Sequence, residues 1–345
     1  MSPATFGQVD LGIYSTAPTR AVSKLAQAAE RRGFRRLWLA EDYHSRSAVV
    51  QAAAAASATA ELELAFGIVS PFARHPAVLG MEIATLEEQW GPRFVLGLGT
   101  GRIALRAHGQ ETVPAIAGLR EAGEICKRLL SGERVTYEGK VFRLPTPGVQ
   151  LNVRPARRQI PIYLGALGPK GLSVAGALAD GVLFSVLCSP GFVRKGLAHV
   201  RAGAKGVGRS LEDMDVACYI IFSVDEDGAA ARQAAKKLVA SYLTLVLDPA
   251  RITEAGLSVE EVAGIRERLL EAERAGRLPE AAAALPDHVL RAFAVAGTPG
   301  ECLEGLRAYA AAGVKSPVLY HVLGPDRLAS VELIADRLVP ELLRS

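Results

Sequence analysis

At 345 residues the chain is longer than most single domains, but α/β barrels of this length fold as one unit, and 50% hydrophobic with 22% charged residues is ordinary globular composition. Forty basic against 36 acidic residues give a net charge of +4, too even a balance for a nucleic-acid-binding chain; the densest basic run, Arg31, Arg32, Arg35 and Arg36, reads as a solvated face at a helix end. Cys126, Cys188, Cys218 and Cys302 lack CxxC or His/Cys ligand spacing, and neither a signal segment nor a membrane-length apolar run is present, so the expectation is a cytoplasmic protein with no metal, membrane or nucleic-acid partner.

Short apolar runs alternate with longer helical patterns, the signature of a parallel sheet covered by helices. Strands are predicted over residues 9–14, 35–40, 62–69 and 94–99. The helices between and after them fall at 18–32, 47–60, 76–90 and 113–130. The pattern resumes with strands at 161–165 and 181–186, separated by a helix at 169–178. A strand at 215–224 precedes a helix at 226–247, and a strand at 317–322 precedes a last helix at 325–343. Eight buried β/α units predict a closed (β/α)8 TIM barrel, read as one domain over 1–345. Two stretches fall outside the repeat: a hairpin and loop at 132–159 and a charged helical insertion at 249–286. Insertions on the C-terminal side of a barrel cover its active site.

Because active sites of such barrels lie where strands end, the strand-end residues carry the candidate chemistry. The first strand ends in Tyr14-Ser15-Thr16 and the second in Glu41-Asp42-Tyr43-His44, a run of ionisable and polar groups. The third runs through Phe66-Gly67-Ile68-Val69-Ser70-Pro71-Phe72-Ala73-Arg74-His75-Pro76. A glycine inside a strand marks a bulge or a close backbone approach. Arg74 and His75 stand where an anion and a helix N-terminus would meet, although His75 reads more simply as a capping or core residue. The fourth strand gives Gly97-Leu98-Gly99-Thr100-Gly101-Arg102. That run is no dinucleotide fingerprint, but it offers a wall free of side chains to a planar ring. Gly165-Ala166-Leu167-Gly168-Pro169-Lys170 opens a helix with free backbone N–H groups and a cation, a plausible phosphate cradle or simply a tight βα turn. The chain has no HExxH and no GxSxG, which leaves metal hydrolysis and serine-triad chemistry without support.

These residues together resemble the bacterial-luciferase-like barrel superfamily, most strongly its F420-dependent branch of 5,10-methylenetetrahydromethanopterin reductases. The resemblance runs through ERRGFRRLWLAEDYHSR, LAFGIVSPFARHPAVLGMEIATLEE, RFVLGLGTG, PIYLGALGPKGLSVAGALADG, DVACYIIFSVDEDGAAARQAAKKLV, LRAFAVAGTPGECLEGL and VLGPDRL. It implies a non-prolyl cis peptide between Gly67 and Ile68, in a bulge pressed against a deazaflavin ring. It implies cofactor contacts at Asp42, at Gly67, Ile68, Val69 and Ser70, at Gly99, Thr100 and Gly101, and at Gly165, Ala166, Leu167, Gly168, Pro169 and Lys170. Coenzyme F420 is the cofactor implied, with FMN the alternative. The implied chemistry is hydride transfer between the deazaflavin and an electrophilic carbon of a small molecule, a methylene-tetrahydropterin or methylene-tetrahydrofolate. An FMN-dependent luciferase-like monooxygenase and a non-catalytic cofactor-binding barrel are the competing readings; the G-I-V-S-P-x-x-R-H-P run favours the F420-dependent reading over the monooxygenase.

The chain departs from the family pattern where protons would be handled. Tyr14 stands in place of a strand-one glutamate, Asp42 replaces a strand-two histidine, and Arg102 replaces the glutamate of the sugar-phosphate branch. Asp42, Glu41 and Tyr14 are the candidate catalytic residues, with Asp42 the first choice for an acid. The resemblance further implies a homodimer or higher homo-oligomer.

Overall fold

The computed structural model describes residues 6–42, 44–101, 105–106, 109–245 and 248–343. Tyr43, Arg102 and His108 lie outside the described residues. Eight parallel strands form the barrel: β1 (Asp10–Ile13), β2 (Arg36–Leu39), β3 (Glu63–Phe66), β4 (Phe94–Gly99), β7 (Ile162–Gly165), β8 (Gly181–Phe184), β9 (Asp215–Val224) and β11 (Ser316–Leu323). The sheet runs β10-β9-β11-β1-β2-β3-β4-β7-β8 and closes through β9–β8; β10 (Ala294–Gly297) extends it along the second half of β9. β5 (Val135–Glu138) and β6 (Arg143–Val149) form the expected antiparallel hairpin. The helices are α1 (Thr19–Arg31), α2 (Ala48–Ser57), α3 (Pro76–Trp90), α4 (Ala115–Leu130), α5 (Pro169–Leu178), α6 (Pro190–Lys205) and α7 (Gly228–Leu245). The second insertion is helical as expected, as α8 (Pro249–Glu254), α9 (Val259–Arg274) and α10 (Leu278–Ala283). After it come α11 (Asp287–Phe293), α12 (Pro299–Ala311), α13 (Arg327–Leu333), a π-helical turn at Ile334–Leu338, and α14 (Val339–Leu342).

Local chemistry accounts for the boundaries. α1 ends where Gly33 takes φ +74°, a conformation that costs glycine nothing. α12 starts in a capping box: Thr298 accepts from the Glu301 N–H while Glu301 accepts from the Thr298 N–H. Four elements, α6, α11, β10 and α12, go beyond those read from the sequence; glycines at 191, 196 and 203 weaken the helical signal of α6.

Residues 12–183 with 196–216 make one compact unit, and residues 1–11, 184–195 and 217–345 another. In the first, Trp38, Phe66, Phe94, Leu37, Leu39 and Leu64 are fully buried. The N-terminal strand ends close over a polar knot rather than more hydrocarbon. Arg36 is only 4% exposed, paired to Glu63 at 2.8 Å and donating to the Tyr163 hydroxyl at 3.2 Å. The hydroxyl donates in turn to Asp215 at 2.7 Å, and Trp38 and Tyr163 flank the guanidinium. The basic run is therefore not wholly a solvated face. β2 begins at Arg36 and draws it inside, where carboxylate, hydroxyl and aromatic partners offset desolvation. In the second unit, Tyr219 and Tyr320 stack at 4.4 Å between β9 and β11. All four cysteines are free and buried, as small hydrophobes. Among the described residues no helix is long and apolar enough to cross a membrane.

α5 and α6 cross backbone to backbone. A Cβ on Gly176 would collide with the Val200 carbonyl oxygen, and one on Gly203 with that of Ser173. Gly203→Ala should therefore destabilise the protein by about 1–3 kcal/mol, because two helix backbones must separate to admit one methyl. An unchanged midpoint in urea denaturation followed by circular dichroism would disprove this close crossing.

Candidate functional site

The residues singled out in the first unit all gather at the C-terminal ends of β1, β2, β3, β4 and β7. Unusual backbone accompanies strand ends in each unit: among the described residues His44 after β2 takes a left-handed φ in the first, and Leu187 after β8 and His321 and Leu323 at the end of β11 do so in the second. Such outliers concentrate at functional edges.

β3 does not stop at Phe66 but folds on across the rim. The Gly67 N–H donates to the Leu39 carbonyl at 2.9 Å, and the Val69 N–H to the Gly97 carbonyl at 2.9 Å. Gly99 N–H returns to the Val69 carbonyl at 3.1 Å, so the segment is stitched to β2 on one side and β4 on the other. The peptide between Gly67 and Ile68 is cis, at the position the resemblance implies. The glycines of β4 prove to face this segment instead of a ligand. A Cβ on Gly97 would strike the Phe66 carbonyl oxygen, one on Gly99 would lie 2.6 Å from Ile68 Cγ1, and one on Gly165 2.8 Å from Ile68 Cγ2. The side-chain-free wall expected for a ring is thus occupied by Ile68, which itself stays partly exposed. Ser70, 3% exposed, donates to the Thr100 carbonyl at 3.4 Å and accepts from the Phe72 N–H at 3.3 Å.

Charge at the rim is organised around Arg74. Its Nη2 pairs with Glu41 Oε1 in a short contact, and its Nε lies 3.5 Å from Glu82 Oε2. The other Glu41 oxygen accepts from the Ala48 N–H at 2.8 Å, at the start of α2. Glu41 is thereby committed to joining the β2 and β3 loops. The anion-binding alternative for Arg74 and His75 fails on the same geometry. Arg74 already faces two carboxylates, and His75 caps α3, its Nδ1 accepting from the Ala77 N–H at 3.1 Å. Asp42 differs from its neighbour: its carboxylate has no hydrogen-bond partner among the described residues, and burial lifts its pKa above the usual aspartate range. Tyr14 ends β1 in a turn closed by the Ala17 N–H onto the Tyr14 carbonyl. Arg46 and Gln51 hold that turn from the next unit, donating to the Thr16 and Ala17 carbonyls at 2.6 and 2.9 Å. Within it, Ser15 Oγ is buried without a partner.

The hairpin insertion packs onto this rim. Glu121 of α4 accepts from the N–H groups of Lys140, Val141 and Phe142 at 2.8, 3.0 and 2.9 Å, fixing the turn between β5 and β6. Phe142 is thereby placed against Phe72 (6.0 Å between ring centroids) and edge-on to His75 (5.4 Å). On β7, Gly165, Ala166 and Leu167 are half-buried, while Gly168, Pro169 and Lys170 are exposed at the start of α5. Gly168 is the N-cap and lacks a side-chain hydrogen bond, and a Cβ there would meet nothing within 4 Å. The first N–H groups of α5 therefore keep donor capacity that no side-chain cap has taken. Sequence reading missed Glu82 and Gln51, and named Ser15 only as part of the run that ends the first strand. Glu82 lies mid-helix, where an acidic residue looks like solvent-facing charge, and only its pairing with Arg74 distinguishes it.

The family model described as luciferase-like monooxygenase matches residues 3–316. The 5,10-methylenetetrahydromethanopterin reductase of Archaeoglobus fulgidus is 32% identical over 315 residues, 91% of this chain and 93% of its own length. The structure of the coenzyme F420 dependent tetrahydromethanopterin reductase from Methanopyrus kandleri superposes with a TM-score of 0.88 at 29% identity, covering 97% of this chain and 100% of that one. An F420-dependent secondary alcohol dehydrogenase, solved with an F420-acetone adduct, shares the fold with a TM-score of 0.78 at 20% identity, covering 98% of this chain and 100% of its own.

Burial raises the Glu82 pKa, outweighing the attraction of Arg74, with Glu41 adding to the rise. The native state then holds a proton that the unfolded state has released. The stability from this group is complete below the ordinary glutamate value and is lost as pH rises through the raised one. Glu82→Gln removes that loss, so its Tm relative to the parent should climb as pH rises from the ordinary glutamate value through the raised one. A constant difference in Tm across that range would refute the assignment.

Proposed function

We infer the activity of this chain from one premise: it belongs to the luciferase-like monooxygenase family. Within that family it is an F420-dependent oxidoreductase of the 5,10-methylenetetrahydromethanopterin reductase kind, acting on CH–NH donors. The favoured substrate is a methylene-tetrahydropterin or methylene-tetrahydrofolate. The whole of 1–345 is taken to work as one catalytic domain with insertions at 132–159 and 249–286, in the cytoplasm and as a homodimer.

The residues present suit the cofactor. One observation carries this: Ile68 is seated on Gly99 and Gly165 with its outer side half-exposed, an apolar platform for a flat ring at the barrel rim. The orphaned Ser15 hydroxyl supplies a buried polar atom with unused hydrogen-bonding capacity. On this reading Gly67, Ile68, Val69 and Ser70 support the ring, and Gly99, Thr100 and Gly101 border it. Gly165, Ala166, Leu167, Gly168, Pro169 and Lys170 receive the phosphate through open amides and one cation.

When bound, the deazaflavin supplies hydride chemistry at an electrophilic carbon. This chain's own residues orient, exclude water and handle the proton. Opening the C–N bond of a methylene bridge requires that the departing nitrogen take a proton. We assign that proton to Asp42, whose carboxyl burial favours in its protonated form. Glu41 is tied to Arg74 and Ala48 and holds Asp42's segment in place. Tyr14, at the adjoining strand end, is the remaining hydroxyl candidate.

Titration of the purified protein with F420 and, separately, with FMN tests the cofactor. Saturable F420 binding is expected, whereas tight FMN binding without F420 binding overturns the reading. Lys170→Ala should weaken F420 binding by about tenfold, the loss of one charged phosphate contact. Asp42→Asn should lower kcat by about 10²–10⁴-fold with F420 binding retained. Because the acid form is the active one, parent kcat should be full below the raised Asp42 pKa and fall as pH rises through it; a variant that keeps this alkaline limb would show another acid at work.

A further inference from the structure

Arg74 is shared unequally between two carboxylates. Its Nη2 closes on Glu41 Oε1 in a short contact, whereas its Nε stands 3.5 Å from Glu82 Oε2. That second gap is too wide for a good hydrogen bond and too narrow to admit a water. Both atoms facing it are buried, and among the described residues neither has a hydrogen-bond partner. A donor and an acceptor thus face each other unjoined, which is costly in a buried place. The opposing pull comes from Glu41, whose other oxygen is fixed by the Ala48 N–H at 2.8 Å.

Glu82 tolerates the gap because it need not be an anion. Burial raises its pKa, Arg74 opposes the rise and Glu41 adds to it. Other charges around the helix are absent or engaged elsewhere. α3 packs against α2, α4 and β4, and neither α2 nor β4 carries a charged residue. On α4, Glu121 and Glu124 serve the hairpin, Lys127 and Arg128 pair with Asp180 and Glu133, and Arg120 acts on Tyr137. His75, at the head of α3, caps it through a ring nitrogen that accepts.

Asp42 directly follows Glu41, beyond the last residue of β2. Backbone support thins there: the Ala40 N–H donates to the Ile13 carbonyl at 3.1 Å, but the Ser45 N–H reaches the Asp42 carbonyl only at 3.4 Å. The Glu41 side chain supplies the firmer ties, to Arg74 and to Ala48. Whatever draws Arg74 away therefore loosens the support of Asp42.

We propose that Glu82 is a positioning residue for Asp42, competing with Glu41 for Arg74. Neutral, it leaves the guanidinium to Glu41 and the loop is held. Ionised, it draws Nε across the gap, and the loop that carries Asp42 slackens. This role rests on the proposed function only for what Asp42 does in turnover.

The first test needs neither cofactor nor substrate. In protein labelled with 15N-arginine, the Arg74 Nε–H resonance is followed as pH rises from the ordinary glutamate value. It should move downfield as Glu82 ionises, because the donor then gains an acceptor, and should not move with pH in Glu82→Gln. A resonance that stays fixed in the parent overturns the competition, whether or not the variant folds. With 13C-carboxyl aspartate, the Asp42 signal is assigned by its loss in Asp42→Asn. It should titrate in two steps in the parent and in one in Glu82→Gln; identical curves overturn the link to Asp42. The second test uses the F420-loaded enzyme with methylenetetrahydrofolate. Parent and Glu82→Gln should share one kcat at the acid end of the working range. As pH rises through the raised Glu82 value, the variant should exceed the parent by about tenfold, with KM and F420 affinity within about twofold. In a Glu41→Gln background, where the second carboxylate no longer pulls, that gain should vanish. A gain that survives there, a ratio constant with pH, or a change confined to KM overturns the proposal. A parent that binds no F420 counts against the proposed function instead, and the two resonances still decide Glu82.

Discussion

The site depends on what is missing from three positions. Gly97, Gly99 and Gly165 have no side chains, and into that space fit the Phe66 carbonyl and the Ile68 side chain. Any larger residue there would push the end of β3 off β4 and β7. With the glycines in place, β3 continues past its last regular residue, hydrogen-bonds to both neighbours and carries Ile68 to the rim. Shape complementarity inside the protein thus precedes complementarity to a ligand. The platform is built by packing and only then offered for binding.

Charge divides the strand-two pair into different tasks. Glu41 and Asp42 are adjacent and chemically similar, yet Glu41 is paired with Arg74 and a helix amide while Asp42 is desolvated with no hydrogen-bond partner among the described residues. Environments that drive two carboxyl groups apart suit them to different roles: one is a tie between loops, and the other suits the proton-handling role proposed for Asp42. Glu82 extends the tie into α3, so that the rim loop between Ser70 and Pro76 is held from below by helix, from the side by strand and from outside by the hairpin.

Much of this was legible in the sequence because parallel strands are buried on both faces and announce themselves as short apolar runs. The run LGLG was recognisable as unusual but its purpose was not. A glycine's neighbour is supplied by another strand, and the spacing along the chain says nothing of Ile68 lying across from Gly99 and Gly165. His75 before Pro76 could be read as a cap from position alone, since the helix start is a local event. Arg36 and Glu82 could not: each looks like surface charge until its distant partners, Tyr163 and Arg74, are brought beside it.

The hairpin places an outside hand on the rim. Phe142 belongs to neither a barrel strand nor a rim loop, yet its ring bears on Phe72 and His75, and its position is set by a single carboxylate on α4. The candidate site's rim is therefore in contact with an insertion that lies outside the barrel strands. Divergence among enzymes of this architecture need not begin at the residues that touch substrate. It has a second point of entry, a mechanical one, on the far side of the loop.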